Sequence, residues 1–345
     1  MTADVTSPPA LTGSGTAGEW IARRYADVQA ILADDRFEVP AAGPPGPVGT
    51  ITWLRASVSR FANGPEHQRR RARAVAELTP LRPAELSRAA CEQAAAALRQ
   101  TARPGERVDV MALLARRTPM AVLAGALGAA RAPDAADAAI RVAAGYFPGA
   151  DPATERLADQ ATAQLIVLLG LGDADHAASA QPSAALGVIV ARIALMVQAC
   201  DATAGLIGTA LHFLQDATDP ASGWPTAAVL DEVLRHRPVL RASRRVARAP
   251  VGLGGHQVEP GDVVVCDVET ANVDAAGAGP GQPPPPSLTF GYGVRPCPGQ
   301  PQALALAAGV IEAVRDTCTF HPGQPIDYAP NTPLRIPQRL EVTLR

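Results

Sequence analysis

Phe290-Gly291-Tyr292-Gly293-Val294-Arg295-Pro296-Cys297-Pro298-Gly299 is the stretch on which the reading of this chain turns. Two glycines allow positive φ and let the backbone approach a flat partner closely. A helix is predicted directly afterwards, from about Pro301 to Val314. Cys297 therefore stands just before a helix N-terminus, where free N–H groups and the dipole stabilise an anion such as a thiolate. Arg295 can give a paired hydrogen bond to a carboxylate. Pro298 has no N–H, so the position after the cysteine cannot donate to its sulfur. A lone cysteine is most often a buried apolar side chain; the glycines, the arginine and the helix start together point to a ligand instead.

The rest of the chain sets bounds on what that cysteine serves. There are 345 residues, enough for one large domain or two. Apolar residues make up 47% and aromatics only 4%; every basic residue is arginine. A net charge of −2 with no long one-sign run implies no bulk attraction to nucleic acid or to a membrane surface. The start, Met1 to Gly18, lacks the basic and apolar segments of a signal peptide and reads as a disordered tail. The most apolar stretch, Leu186 to Leu214, is interrupted by Arg192, Gln198, Asp201 and His212, and no uninterrupted run is expected to span a membrane. The five cysteines are Cys91, Cys200, Cys266, Cys297 and Cys318. An odd count with no CxxC pair argues against a disulfide framework and a structural zinc, and for a reducing cytoplasm.

Along the chain, Trp20 to Arg24 reads as a short strand, Asp27 to Asp34 as a helix and Ala41 to Pro47 as a loop. Three-and-four spacing of apolar residues predicts helices in Leu86–Leu98, Val110–Leu127 and Leu157–Leu169, with helix starts at Pro133-Asp134 and Asp151-Pro152. Residues 183–214 read as one helix of roughly 45 Å, apolar around most of its circumference and so expected to run through the protein interior. A helix over Thr226–Arg235 follows. Ser243–Ala249, Val251–Val258 and Asp262–Thr270 then read as strands, with turns at Gly254-Gly255 and Pro260-Gly261. Ala275 to Pro286 is a Gly/Pro stretch expected to be neither helix nor strand, and the C-terminal tail is β-like.

The cysteine stretch resembles the haem-binding loop of the cytochrome P450 family, whose pattern is F-G-x-G-x-R-x-C-x-G. All six fixed positions match, at Phe290, Gly291, Gly293, Arg295, Cys297 and Gly299. The resemblance extends from Trp20 to the C-terminus. It implies a mainly α fold with small β-sheets, the P450 prism around a buried haem b, as a single domain over residues 19–345. It also implies that Cys297 ligates iron and that His67, Arg71, Arg244 and Arg295 hold the haem propionates, with Arg245 a competing assignment for Arg244. Glu232 and Arg235 fit the family's E-x-x-R structural pair, the context being right only for this one of the chain's four such spacings. Arg69, Arg70 and Arg73 would remain to steer an acidic ferredoxin. Ala199, Ala202, Val239 and Leu240 would line the substrate pocket.

The long helix departs from the family. Gln198-Ala199-Cys200-Asp201-Ala202-Thr203 aligns with the family's small-Gly-x-acid-Thr motif. Asp201 keeps the proton-relaying acid, but Ala202 replaces the threonine and Thr203 follows one position later. Proton delivery needs positioned donors. Either Thr203 substitutes through a distorted helix turn, a substrate hydroxyl or amine holds the relay water, or the oxidant is peroxide. The chain is also short between the Arg71 helix and the long helix, which is the pocket roof in the family. Gly277 to Pro286 carries no arginine where the family has a P-x-R-F-like segment, so Glu232–Arg235 would lose a third partner. The resemblance implies a cytoplasmic haem-thiolate monooxygenase acting on a small organic molecule, in secondary metabolism, with ferredoxin as electron donor. The alternatives are a peroxide-driven or coupling enzyme and, beyond enzymes, a P450-like helper subunit without haem, against which Cys297 counts.

Overall fold

The computed structural model describes residues 11–14, 18–170, 184–216, 223–276, 285–330 and 332–345. In chain order the helices are α1 (Tyr25–Ala33), α2 (Ile51–Ser57), α3 (Gly64–Leu78), α4 (Pro83–Thr101), α5 (Arg117–Ala126), α6 (Ala132–Ala144), α7 (Pro152–Leu168), α8 (Ala184–Asp216), α9 (Thr226–His236), α10 (Val268–Ala276) and α11 (Gln300–Thr317). The strands are β1 (Leu11–Ser14), β2 (Glu19–Ala22), β3 (Phe37–Glu38), β4 (Arg107–Asp109), β5 (Ala242–Ala247), β6 (Val251–Leu253), β7 (His256–Val258), β8 (Val263–Asp267), β9 (Cys318–Thr319) and β10 (Glu341–Leu344). The chain divides into two compact units. The first comprises Met1–Pro40, Asp231–Cys297 and Pro330–Arg335; the second comprises Ala41–Leu230, Pro298–Ala329 and Ile336–Arg345.

The first unit is built on a five-stranded sheet in the order β1-β2-β8-β5-β3. β2 runs parallel to β8, with Trp20 opposite Val264, and β5 runs antiparallel to β8, with Arg245 opposite Val264. Inward residues such as Ala22, Val264, Cys266 and Ala247 alternate along the strands and pack against Val28, Ile31 and Leu32 of α1. β6 and β7 form the expected hairpin about Gly254-Gly255. Two expectations are corrected here. Leu11–Ser14, assigned to a disordered tail, pairs antiparallel with β2 as an edge strand. The strand expected to run to Thr270 stops at Asp267, because the Asp267 carboxylate accepts from the Thr270 N–H at 3.0 Å and the Thr270 hydroxyl at 2.9 Å and so starts α10. Most of the expected Gly/Pro coil, residues 277–284, lies outside the described residues.

The second unit is helical, and α8 is its central element. Ile193, Met196, Cys200, Ile207 and Leu211 are all fully buried. By length and composition α8 could cross a membrane, contrary to expectation, since its polar residues are spaced widely enough to leave an apolar window. Its charges, however, are matched within the unit: Arg192 pairs with Glu77 of α3 at 2.6 Å and Asp201 with Arg116 at 2.7 Å. α4 and α11 cross at backbone contact. A Cβ on Gly309 would sit 2.1 Å from the Ser87 carbonyl, so only glycine fits there. Ahead of α5 the helix widens into one π turn over Met111–Ala115. α7 starts as expected, with Asp151 accepting from the N–H groups of Ala153 and Thr154.

Candidate functional site

The cysteine loop belongs to the first unit. The short turn Leu288–Phe290 enters it, and the Cys297 N–H donates to the Phe290 carbonyl at 2.6 Å, closing the loop on itself. Gly291 (φ 74°) and Gly293 (φ 62°) take left-handed conformations. A Cβ on Gly293 would lie 2.4 Å from Ala33 Cα and 2.8 Å from the Leu32 carbonyl, so the loop can lie along the end of α1 only without a side chain there. The Val294 N–H donates to that same carbonyl at 3.3 Å. Gly299 needs neither positive φ nor close approach; it serves as the N-cap of α11. Phe290 and Arg295 are half-buried.

All five cysteines are free thiols, and of these Cys297 is the exposed one. Burial pushes the thiols of Cys91, Cys200 and Cys318 up, and that of Cys266 to about 11. These four are poor thiolates. Among the described residues no group of three or more His, Cys, Asp or Glu side chains is placed to hold a metal ion. A single exposed thiol is therefore suited to an ion that brings its own equatorial ligands, which is what a haem iron does. The donor set fits that group.

The Glu232–Arg235 pair does not form. Glu232 instead faces His236 at 3.7 Å on the same helix, and Arg235 has no hydrogen-bond or ionic partner among the described residues. The physical reason is the missing third partner, since two exposed charges on one helix gain little from each other. A neutral network holds this region. The Leu234 carbonyl at the end of α9 accepts from Asn272 Nδ2 (3.1 Å), Ser287 Oγ (2.7 Å) and Thr289 Oγ1 (3.1 Å). Asn272 Oδ1 accepts from the Leu288 N–H at 2.9 Å. Asn272 is 1% exposed, so this amide ties α9 and α10 to the entry of the cysteine loop. Sequence reasoning missed it; the available signal was an asparagine inside an apolar helix and a Ser-Leu-Thr run just before Phe290.

Alternation along β5 separates the two candidate arginines. Arg244 is on the exposed side, 3.9 Å from Glu19, while Arg245 is 7% exposed and donates to the Arg244 carbonyl at 2.9 Å. The buried Arg245, not Arg244, is the better-placed carboxylate partner. Val239 is buried, and Leu240 bridges to Leu334.

In the second unit, His67 and Arg71 share one face of α3, His67 buried and Arg71 half-buried without a carboxylate partner among the described residues. The expected steering cluster is smaller than three. Arg69 and Arg70 both engage Glu66, holding its carboxyl below the usual range, and Arg70 also donates to the carbonyls of Ala56 (2.6 Å) and Val58 (3.1 Å).

α8 is a regular helix across residues 198–205, so the distorted turn expected at Thr203 is absent. Asp201 and Thr203 are about 200° apart around the axis. Gln198, Ala199, Asp201 and Ala202 form the accessible stripe, while Thr203 is 1% exposed on the other side, its hydroxyl without a partner. Thr203 cannot join Asp201. The partner of Asp201 is Arg116, whose Nε lies 2.7 Å from Oδ1, with both side chains about one-third exposed. No spacing signal could have revealed a pair 85 residues apart.

No protein-family model matches the chain. Protein AknT of Streptomyces galilaeus is 28% identical over 353 residues, covering 90% of this chain and 78% of that protein. Among solved structures, P450BioI in complex with a hexadec-9Z-enoic acid-ligated acyl carrier protein matches with a TM-score of 0.76 at 19% identity, covering 94% of this chain and 92% of that one. HmtT, involved in himastatin biosynthesis, matches at 0.73 and 19%, covering 98% and 95%. The chain has the cytochrome P450 fold.

Proposed function

We propose that the chain is a haem-thiolate monooxygenase that oxidises a small organic molecule in secondary metabolism, in the cytoplasm, with electrons from a ferredoxin-type donor. The observation that carries this reading is the single exposed Cys297 thiol on a loop closed by the Cys297–Phe290 hydrogen bond, in a chain with the P450 fold. HmtT, a structural neighbour involved in himastatin biosynthesis, supports the metabolic context. Haem b bound through a thiolate supplies the oxygen-activating chemistry. Cys297 is its ligand; Arg295 and the buried Arg245 are matched to its carboxylates, and the resemblance adds His67 and Arg71. On α8, Asp201 is the proton-handling group, and Arg116 fixes its Oδ1. Ala199 and Ala202 present a small apolar surface beside it.

The absence of a hydroxyl next to Asp201 favours a second oxidant, peroxide, over dioxygen, because the relay then has fewer protons to deliver. A ferrous–carbon monoxide spectrum of the purified protein tests the class: a thiolate-type Soret band is expected, lost in Cys297→Ala. No Soret absorption in protein supplied with haem would leave the helper-subunit reading. Turnover with peroxide alone against turnover with a ferredoxin system separates the two oxidants.

A further inference from the structure

A cleft of about 600 Å³ opens within the second unit, between α3, the first half of α8 and the α2 segment. Its walls are largely apolar, with Trp53, Val58, Leu186, Val190 and Ala194 among them. Arg73 of α3 is its one cation without a partner among the described residues. Two carboxylates lie within reach along the same helix, and each is taken elsewhere. Glu77, one turn on, pairs with Arg192 of α8 at 2.6 Å. Glu66, nearly two turns back, is held by Arg69 and Arg70. The Arg73 guanidinium instead rests on the backbone of α8 at Gly187, where an added Cβ would come 2.8 Å from Nη1 and 3.0 Å from Cζ. A glycine makes the seat, and the polar edge of the guanidinium stays unengaged.

With Glu66 compensated by its own arginines, the cleft carries one uncancelled positive charge above an apolar floor. The side of α3 that forms it is turned away from the His67–Arg71 face by roughly a quarter turn, from 100° per residue. We propose that this cleft is a binding site for an amphipathic carboxylate, its headgroup paired bidentately with Arg73 and its apolar body laid against Trp53, Val58 and Val190. An arginine fork matches a carboxylate in this way, and an apolar cleft with one placed polar group is the usual form of a small-molecule site.

The test uses octanoate, with 1-octanol and octylammonium as controls, titrated calorimetrically into the full chain. Octanoate binds at one site, and both controls bind about ten-fold more weakly or worse. Arg73→Gln lowers octanoate affinity by about ten-fold or more and leaves that of octanol unchanged. Gly187→Ala, which unseats the guanidinium, also weakens octanoate; Arg73 is exposed, so its variant is expected to fold. Octanoate binding equally to wild type and Arg73→Gln, octanol binding as tightly as octanoate, or no octanoate binding would each overturn the assignment. The site does not depend on the haem-thiolate reading: protein without a Soret band is still expected to bind octanoate through Arg73.

Discussion

Replacing Asn272 with alanine removes the one side chain that both donates to the end of α9 and accepts from the entry of the cysteine loop. The Leu288 N–H, on a residue 0% exposed, loses its 2.9 Å acceptor. An unsatisfied buried donor costs about 1–3 kcal/mol. The Leu234 carbonyl loses little, because Ser287 and Thr289 still donate to it. The void left by the amide adds about 1 kcal/mol. Alanine's better helix propensity inside α10 returns about 0.5 kcal/mol. The net destabilisation is about 1.5–3.5 kcal/mol. Arg235→Ala and Glu232→Ala, by contrast, should each stay within about 0.5 kcal/mol of wild type, since neither takes part in a buried pair. Urea unfolding followed by circular dichroism, extrapolated linearly to water, measures all three. Should Arg235→Ala cost more than Asn272→Ala, the neutral network is not what holds this region and the argument fails.

Iodoacetamide should label Cys297 in the native protein and leave Cys200 and Cys266 untouched, since burial keeps those two as thiols; adding haem should protect Cys297, and peptide mapping reads both effects. Gly309→Ala should destabilise by about 1–3 kcal/mol, because its methyl meets a backbone carbonyl that cannot rotate away; a thermal midpoint equal to wild type would show that α4 and α11 separate freely. Glu66 has a folded-state pKa below its ordinary value of 4.5 through Arg69, so its contribution to stability is full above that value and is lost as pH falls through the lowered one. The difference in melting temperature between wild type and Glu66→Gln should accordingly narrow towards acid; a gap constant with pH would exclude the linkage.

The elements that the sequence predicted well are those whose signal is local. Gly291 and Gly293 declare a backbone conformation, Asp151-Pro152 a helix start, and the apolar run of α8 a buried core helix, found at Ala184–Asp216. The Gly254-Gly255 hairpin is equally local. What could not be read was any partnership made across distance. Period-two alternation says that Arg244 and Arg245 face opposite ways but not which way is inward; the packing of β5 on β8 decides that. Likewise, Glu232 and Arg235 have the spacing of a pair, yet spacing supplies no third charge to anchor it. The choice of Arg116 for Asp201, and of Asn272 for Leu234, depends on the tertiary arrangement of helices far apart in the chain. Thr203 was misjudged for the opposite reason: a regular helix leaves no freedom to bring adjacent-looking residues onto one side.

The π turn at Met111–Ala115 gives the Arg116–Asp201 contact an unusual dependence on length. Such a turn holds one residue more than an α-helical turn. Deleting a single residue from it would let the helix wind normally and would rotate everything downstream by about 100° relative to what precedes it. Arg116 stands at the very end of the wide turn, so the first thing to lose its bearing would be the guanidinium that meets Asp201. Chain length at this one turn, rather than the identity of any side chain in it, sets whether the carboxylate of α8 is held or left loose, and a one-codon insertion or deletion would act there as a switch between the two states.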